Sequence, residues 1–171
     1  MKRTAALITG VLFTLVAASW SAADTTVTLD KTHLCCPKCV KAVAAVVKTI
    51  PNVTAKCDQK AGSVTLTAPD DATAQKAVDA LVDAGFYGTV SGGTIKDDSG
   101  APAGNVKTLT ITTHNCCKKC ATAIDKIITS VPGATGTAEP ATESITITGD
   151  FDAGKLVQAF NDAGFSVKVA K

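Results

Sequence analysis

The sequence predicts an α+β fold in which two helices cover one face of an antiparallel sheet, and it predicts this sandwich twice in the chain. Two observations lead to that fold class. Marked residues recur at a fixed shift along the sequence, and within each copy the apolar residues switch between the period of a strand and that of a helix. The resulting order, strand–helix–strand–strand–helix–strand, occurs once in each copy.

The duplication divides the chain into two repeats. Self-comparison pairs His33 with His114, Cys35 with Cys116, Cys36 with Cys117, Cys39 with Cys120, and Pro51 with Pro132. The segment Ala84-Gly85-Phe86 pairs with Ala163-Gly164-Phe165 after a short gap. Residues 91–105 between the copies are rich in Gly, Ser, Asp and Pro, which is typical of a flexible linker. The predicted domains are residues 24–90 and 106–171, each about 65 residues long and able to fold alone only marginally.

The first repeat shows each element in turn. Val27 and Leu29 alternate with threonines, as in a half-buried strand. A helical stripe then ends before Pro51 and consists of Val40, Val43, Val47 and Ile50. Two more strands alternate on either side of Gly62, through Val53, Ala55 and Cys57 and then Val64 and Leu66. Asp70 or Asp71 caps a second helix, Gly85 ends it, and a last strand runs to Val90.

The second repeat follows the same order, with one irregularity. Its strands and helices are marked by Leu109 and Ile111, then Ile124, Ile127, Ile128 and Val131, then Ile145 and Ile147, then Leu156, Val157 and Phe160, and finally Val167 and Val169. Leu29 precedes Cys36 by the same number of residues as Leu109 precedes Cys116. Because Cys36 pairs with Cys117 and not with Cys116, the two first strands are offset by one residue. This offset predicts a bulge in one copy or a difference between the loops.

Residues 1–23 are expected to be a secretory signal peptide. Lys2 and Arg3 precede an apolar run, and Ser21-Ala22-Ala23 supplies the small residues of a cleavage site. We therefore expect a periplasmic or secreted protein whose mature chain has no membrane span. The signal holds two of the 17 basic residues and none of the 15 acidic ones, so the mature chain has no formal net charge. A nucleic-acid partner is not expected from that balance.

The cysteines that recur after the first strand of each repeat carry the chemistry. Cys36 and Cys39, like Cys117 and Cys120, are spaced so that one thiol lies at a helix cap and the other in the first turn. A helix N-terminus favours the thiolate, and Pro37 suits the first helical position. Thiolates are the ligands that soft Cu(I) and borderline Zn(II) prefer. The spacing therefore predicts a metal site in each repeat.

Further donors surround each pair of cysteines. Cys35, Cys116, His33 and His114 raise the donor count to as many as four per site. Which adjacent cysteine is the main ligand, and whether the histidines ligate or only support the ligands, stays open at this level. More than two donors favours tight binding, as in sequestration or a bridged cluster, over rapid transfer. Thioether ligands are excluded because the single Met lies in the signal.

Both repeats resemble the heavy-metal-associated domain family, which includes periplasmic mercury-binding proteins and copper chaperones. The resemblance implies a ferredoxin-like βαββαβ sandwich, and it implies that Cys36 with Cys39 and Cys117 with Cys120 are the metal ligands. The Ala-Gly-Phe segments are similar to a family segment whose ring packs near the metal loop. His33-Leu34 and His114-Asn115 stand where the family has Gly-Met, and an additional Cys precedes each motif.

These observations predict a non-enzymatic metal-binding protein for Cu(I), with Zn(II) and Hg(II) as alternative ions. It would act as a chaperone or scavenger, with a metal transporter or a target metalloprotein as exchange partner. A thiol–disulfide oxidoreductase that uses the dithiols is the alternative, and a module stapled by disulfides is the third interpretation. Cys57 has no counterpart and alternates with core residues, which favours a buried structural position. The linker predicts little fixed contact between the repeats and independent loading.

Overall fold

The computed structural model describes residues 24–96 and 98–170. The predicted signal peptide, residues 1–23, lies outside these residues. The described chain forms β1 (Thr25–Asp30), α1 (Pro37–Val47), β2 (Thr54–Asp58), β3 (Ser63–Ala68), α2 (Asp71–Asp83), β4 (Thr89–Ser91), β5 (Asn105–Thr112), α3 (Lys118–Ser130), β6 (Ala134–Thr135), β7 (Ser144–Asp152), α4 (Ala153–Asp162) and β8 (Lys168–Val169). Within this part of the chain, no helix is both long and apolar enough to cross a membrane.

The strands form two four-stranded antiparallel sheets with the same topology. Their spatial orders are β2-β3-β1-β4 and β6-β7-β5-β8. Each first strand therefore lies between the third and fourth strands of its own repeat, and two helices pack on one face. This confirms the predicted fold class of two α+β, ferredoxin-like sandwiches.

Alternation along the central strands places the core of each repeat. In the first repeat Val27 pairs with Leu66 and Leu29 with Val64, and all four side chains are buried beneath the helices. The equivalent buried pairs of the second repeat are Leu109 with Ile147 and Ile111 with Ile145. Cys57 pairs with Val64 at the edge strand β2, so it faces the core but remains half-buried.

The one-residue offset between the first strands has a local cause. Leu29 pairs with Val90 as Ile111 pairs with Val169, so these residues occupy equivalent places in the two sheets. The first repeat then contains an additional residue before its histidine. The chain accommodates this additional residue at Lys31, whose backbone lies in the left-handed region at φ 61°. The irregularity is therefore an inserted residue at the end of β1, which leaves the cysteines in register with α1.

The two repeats touch each other through the turns that follow α2 and α4. The Tyr87 N–H donates to the carbonyl of Gly164 at 3.1 Å, and the Ser166 N–H donates to the carbonyl of Gly85 at 3.0 Å. Phe86 and Phe165 form an antiparallel bridge between these hydrogen bonds. The expectation of little fixed contact between the repeats is therefore wrong.

Residues of the predicted linker also contact both repeats. The Thr94 N–H donates to the side-chain carbonyl of Gln75 on α2, and the Val169 N–H donates to the carbonyl of Ser99. Lys168 on β8 forms ion pairs with Asp98 and, at 3.2 Å, with Asp83 at the end of α2. These bonds add to the contact between the two sandwiches.

Gly85 provides a test of the contact between the repeats. Gly85 and Gly104 both have positive φ, but only at Gly85 would an added Cβ overlap a neighbour, the backbone nitrogen of His114. Gly104→Ala should lower the free energy of unfolding by roughly 1 kcal/mol through backbone strain alone. Gly85→Ala should lower it by about 1–3 kcal/mol more, because the opposing loop has to shift. Urea unfolding of the reduced protein measures both losses, and equal losses would contradict the packing described.

Candidate metal centre

The turn before each first helix holds its cysteines at the helix N-terminus. Cys36 is the N-cap of α1 and Cys117 the N-cap of α3, both with extended backbone at φ −159° and −163°. Neither thiol makes a capping hydrogen bond to the backbone of its helix, and Pro37 occupies the first position of α1 as predicted. Cys39 and Cys120 lie in the first turns of these helices and are fully buried. All four sulfur atoms are therefore free to face a common point.

The two cysteine loops form one cluster instead of two separate sites. Six sulfur atoms take part, those of Cys35, Cys36, Cys39, Cys116, Cys117 and Cys120. The Cys36 and Cys117 sulfurs lie 3.6 Å apart, and those of Cys39 and Cys120 lie 3.9 Å apart. These separations far exceed the S–S bond of about 2.05 Å in a disulfide, and all six thiols are free.

The additional cysteine of each repeat makes a close contact with the buried first-turn cysteine of the opposite repeat. The Cys35 sulfur lies 3.4 Å from that of Cys120, and the Cys116 sulfur lies 3.6 Å from that of Cys39. The same contact is thus made twice with the repeats exchanged, which relates the two loops by an approximate two-fold axis. The cysteine that precedes each Cys-x-x-Cys pair therefore links the two repeats. The sequence of a single loop could not show this role, because the contact is with the other loop.

Each histidine reaches across the same axis. His33 stacks on Phe165 with ring centroids 4.2 Å apart, and His114 stacks on Phe86 at 4.3 Å. The aromatic rings of the Ala-Gly-Phe segments thus pack near a metal loop, but the histidine they stack on belongs to the other repeat. The Nε2 atoms of both histidines are buried without a hydrogen-bond partner. A buried polar atom without a partner costs about 1–3 kcal/mol, so each imidazole is suited to act as a metal donor.

Three overlapping groups of donors could hold a metal ion. They consist of Cys39, His114, Cys116 and Cys120; of His33, Cys35 and Cys120; and of Cys35, Cys36 and Cys117. The ligand atoms within each group lie within 4.8 Å of one another. All eight residues predicted as metal ligands therefore occur in these groups. No carboxylate of the described residues belongs to them.

The two residues that follow the histidines fix the loops differently. Leu34 is buried with 4% of its surface exposed, whereas the equivalent Asn115 is buried with 1% exposed. The Asn115 side-chain amide donates to the carbonyls of Glu139 and Thr142 at 2.8 and 2.9 Å. Burial of an apolar side chain thus anchors the first loop, and directed hydrogen bonds anchor the second. Sequence reasoning missed this function of Asn115, although an asparagine in place of a leucine is a visible signal.

Hydrogen bonds among the thiols separate their pKa values. A hydrogen bond from Cys120 lowers the pKa of Cys39 to about 2, and the same bond raises the pKa of Cys120. Burial raises the pKa of Cys35 to about 12 and also raises that of Cys116. Burial raises the pKa of Cys117, but hydrogen bonds from the backbone and from neighbouring thiols outweigh it and lower that pKa to about 6. The cluster without metal therefore concentrates negative charge on some sulfurs and keeps the others protonated.

Full ionisation of the cluster requires cations. Two thiolates 3.7 Å apart, as the Cys35 and Cys39 sulfurs are, repel each other by roughly 4.5 kcal/mol at an effective dielectric constant of about 20. The N-termini of α1 and α3 supply partial positive charge at Cys36 and Cys117, and exposed Lys38, Lys118 and Lys119 lie in the first turns. Burial lowers the pKa of His33, and this keeps its imidazole in the neutral form that can bind metal.

Comparisons with known proteins add a match among solved structures. No family model matches the sequence, and no curated protein matches it. The solution structure of the N-terminal soluble domains of Bacillus subtilis CopA covers 87% of this chain and 95% of its own, at 14% sequence identity and a TM-score of 0.33. The assignment of the fold rests on the strand order and register described above.

The exposure and pKa values of the thiols predict an order of alkylation. In the reduced, metal-free protein at neutral pH, Cys117 should react fastest with iodoacetamide because it is half-buried and its pKa is about 6. Cys120 should react slowest, since it is fully buried and its pKa is raised. Mass spectrometry of peptides sampled over time measures the order. Cys57, whose pKa burial raises, is the reference outside the cluster. Faster modification of Cys120 than of Cys117 would contradict this arrangement.

Proposed function

We propose that this chain is an exported protein that binds a soft metal ion, with Cu(I) as its cargo, and that it acts as a scavenger. The observation that carries the proposal is the cluster of six free thiols in which neighbouring sulfurs lie 3.4–3.9 Å apart. Export rests on the predicted signal peptide in residues 1–23.

The spacing of the sulfurs suits metal coordination. Four thiolates around an ion at about 2.3 Å lie about 3.8 Å from one another in tetrahedral geometry. The sulfurs of Cys36 and Cys39, and those of Cys117 and Cys120, are both 3.8 Å apart. Thiolate and imidazole donors select Cu(I) and Zn(II) over the hard cations, which require oxygen ligands. The unpartnered Nε2 atoms of the two histidines fit the same donor set.

The number and burial of the donors favour retention of the metal over rapid transfer. A site for rapid transfer needs ligands that an incoming partner can displace one at a time. Here Cys39 and Cys120 are fully buried, and thiols from both repeats surround them. Cys36 and Cys117 remain half-buried and provide the access for a metal or for an exchange partner such as a metal transporter. A chaperone function would require release through these outer thiols.

A redox function is the second candidate, and one observation favours it. Cys117 is half-buried and has a pKa lowered to about 6, which is a property of reactive dithiols. Cys36-Pro37-Lys38-Cys39 also has the spacing of a redox dithiol. Against this function, the sulfur atoms closest to Cys39 and Cys120 are those of the opposite repeat, Cys116 and Cys35, and not of their own motifs. That arrangement suits a shared ion better than two independent disulfides.

Competitive metal titration tests the proposed function. The chain from Asp24 to Lys171, reduced and free of oxygen, is titrated with Cu(I), Zn(II) and Hg(II) against a chromophoric chelator. We expect Cu(I) to be taken from the chelator. The double variant Cys39→Ser, Cys120→Ser should bind Cu(I) at least roughly 100-fold more weakly. Loss of a residue that only hydrogen-bonds to a metal ligand already lowers metal affinity by about 10–100-fold, and this variant removes two ligands.

The control is Cys57→Ser, which removes a thiol on β2 outside the cluster and should leave Cu(I) affinity unchanged. No Cu(I) binding, combined with turnover of a small disulfide substrate, would establish the redox function instead. Disulfides found by thiol counting on protein taken directly from cells, with no bound metal, would support the stapled module.

A further inference from the structure

The two innermost thiols belong to different repeats. Cys39 on α1 and Cys120 on α3 each have no exposed surface, and their sulfurs lie 3.9 Å apart. Each also lies close to the additional cysteine of the opposite repeat, at 3.6 Å for Cys39 with Cys116 and at 3.4 Å for Cys120 with Cys35. This pair occupies the centre of the cluster.

One of these thiols, Cys120, belongs to both of the histidine-containing groups, and Cys39 belongs to one and lies beside the other. One group consists of Cys39, Cys120, Cys116 and His114. The other consists of Cys120, Cys35 and His33, and the Cys39 sulfur lies 3.7 Å from that of Cys35 and 3.9 Å from that of Cys120. The approximate two-fold axis exchanges these groups. Each contains Cys120, one additional cysteine and one histidine, and the contacts of Cys39 with Cys35 and Cys120 place the second inner thiol beside both groups.

We propose that the protein binds soft metal in one polynuclear centre shared by the two repeats, in which Cys39 and Cys120 are bridging thiolates. This inference rests on the proposed function as a soft-metal-binding protein. Two four-coordinate ions need eight donor positions. Six residues supply them if two thiolates each bind both ions, and a thiolate sulfur has enough lone pairs to do so.

Charge supports the bridge. Two buried thiolates at 3.9 Å repel each other, and a cation between them removes that repulsion. Cation binding on both sides lets both inner sulfurs act as thiolates, and the proton that they share passes to solvent. The hydrogen bond that Cys120 shares with Cys39 in the metal-free protein is then replaced by metal–thiolate bonds.

Neither repeat can form its histidine-containing group by itself. The group around His114 needs Cys39 from the first repeat, and the group around His33 needs Cys120 from the second. The structure therefore assigns metal binding to the pair of repeats as a unit, and not to two independent domains. Cys36 and Cys117 form the outer side of the cluster, with Cys35 as their third neighbour, and can admit a further ion.

X-ray absorption spectroscopy and native mass spectrometry on the Cu(I)-loaded chain test the bridge. We expect at least two copper ions per chain and a copper–copper scattering contribution. Cys39→Ser and Cys120→Ser, made singly, should each abolish that contribution and remove at least one ion. Cys36→Ser should remove no more than the further ion of the outer group, because its thiol is absent from both histidine-containing groups. Cys57→Ser should behave as the unmodified chain.

The outcomes separate the bridge from the function on which it rests. Ions bound without copper–copper scattering, with each variant losing only the ion of its own repeat, would overturn the bridge and leave soft-metal binding intact. A failure to bind any Cu(I), Zn(II) or Hg(II) would overturn both. If a variant does not fold, as judged by circular dichroism, the scattering from the unmodified chain still tests whether the ions share one centre, and its absence would overturn the bridge.

Discussion

The packing of six thiols between two helix N-termini is the constraint on which the rest of this structure depends. Thiols in such close contact can share protons, but they cannot all ionise in a confined space without positive charge. The fold brings two cap cysteines and two first-turn cysteines to one point, where both helices contribute partial positive charge. The additional cysteines then connect the loops across the axis. Burial of the inner pair follows from the meeting of the loops, since each loop covers the other.

The contact between the repeats uses backbone groups where the side chains are small. Gly85 and Gly164 let the chain pass close to the histidine loop of the opposite repeat, because no Cβ stands between the two backbones. The hydrogen bonds from Ser166 and Tyr87 hold these turns together. The stacked histidine and phenylalanine rings then fix the distance of each imidazole from the thiols. Thus the segments that end α2 and α4 also position the donors of the opposite repeat.

Sequence reasoning predicted what depends on local pattern. Strand order, the buried face of β1 and the capping position of Cys36 follow from periodicity and helix-end chemistry, and the structure confirms them. The contact between the two cysteine loops could not be predicted from the sequence, because the distance between the repeats does not depend on local sequence pattern. A Gly- and Ser-rich linker is equally compatible with two repeats that contact each other and with two repeats that move independently. The recurrence of a glycine-phenylalanine pair after each second helix was the one available signal, and a single repeat explains it equally well as a helix end.

The loop held by Leu34 and the loop held by Asn115 should respond differently to a change of temperature. Burial of Leu34 stabilises the first loop through the hydrophobic effect, worth about 2 kcal/mol near 25 °C and weaker on cooling. The amide hydrogen bonds of Asn115 stabilise the second loop through directed contacts that do not depend on the ordering of water. Cooling therefore loosens the Leu34 side of the centre relative to the Asn115 side. The two halves of a nearly symmetric site thus differ in thermal response, and His33 and Cys35 lie in the half that cold weakens.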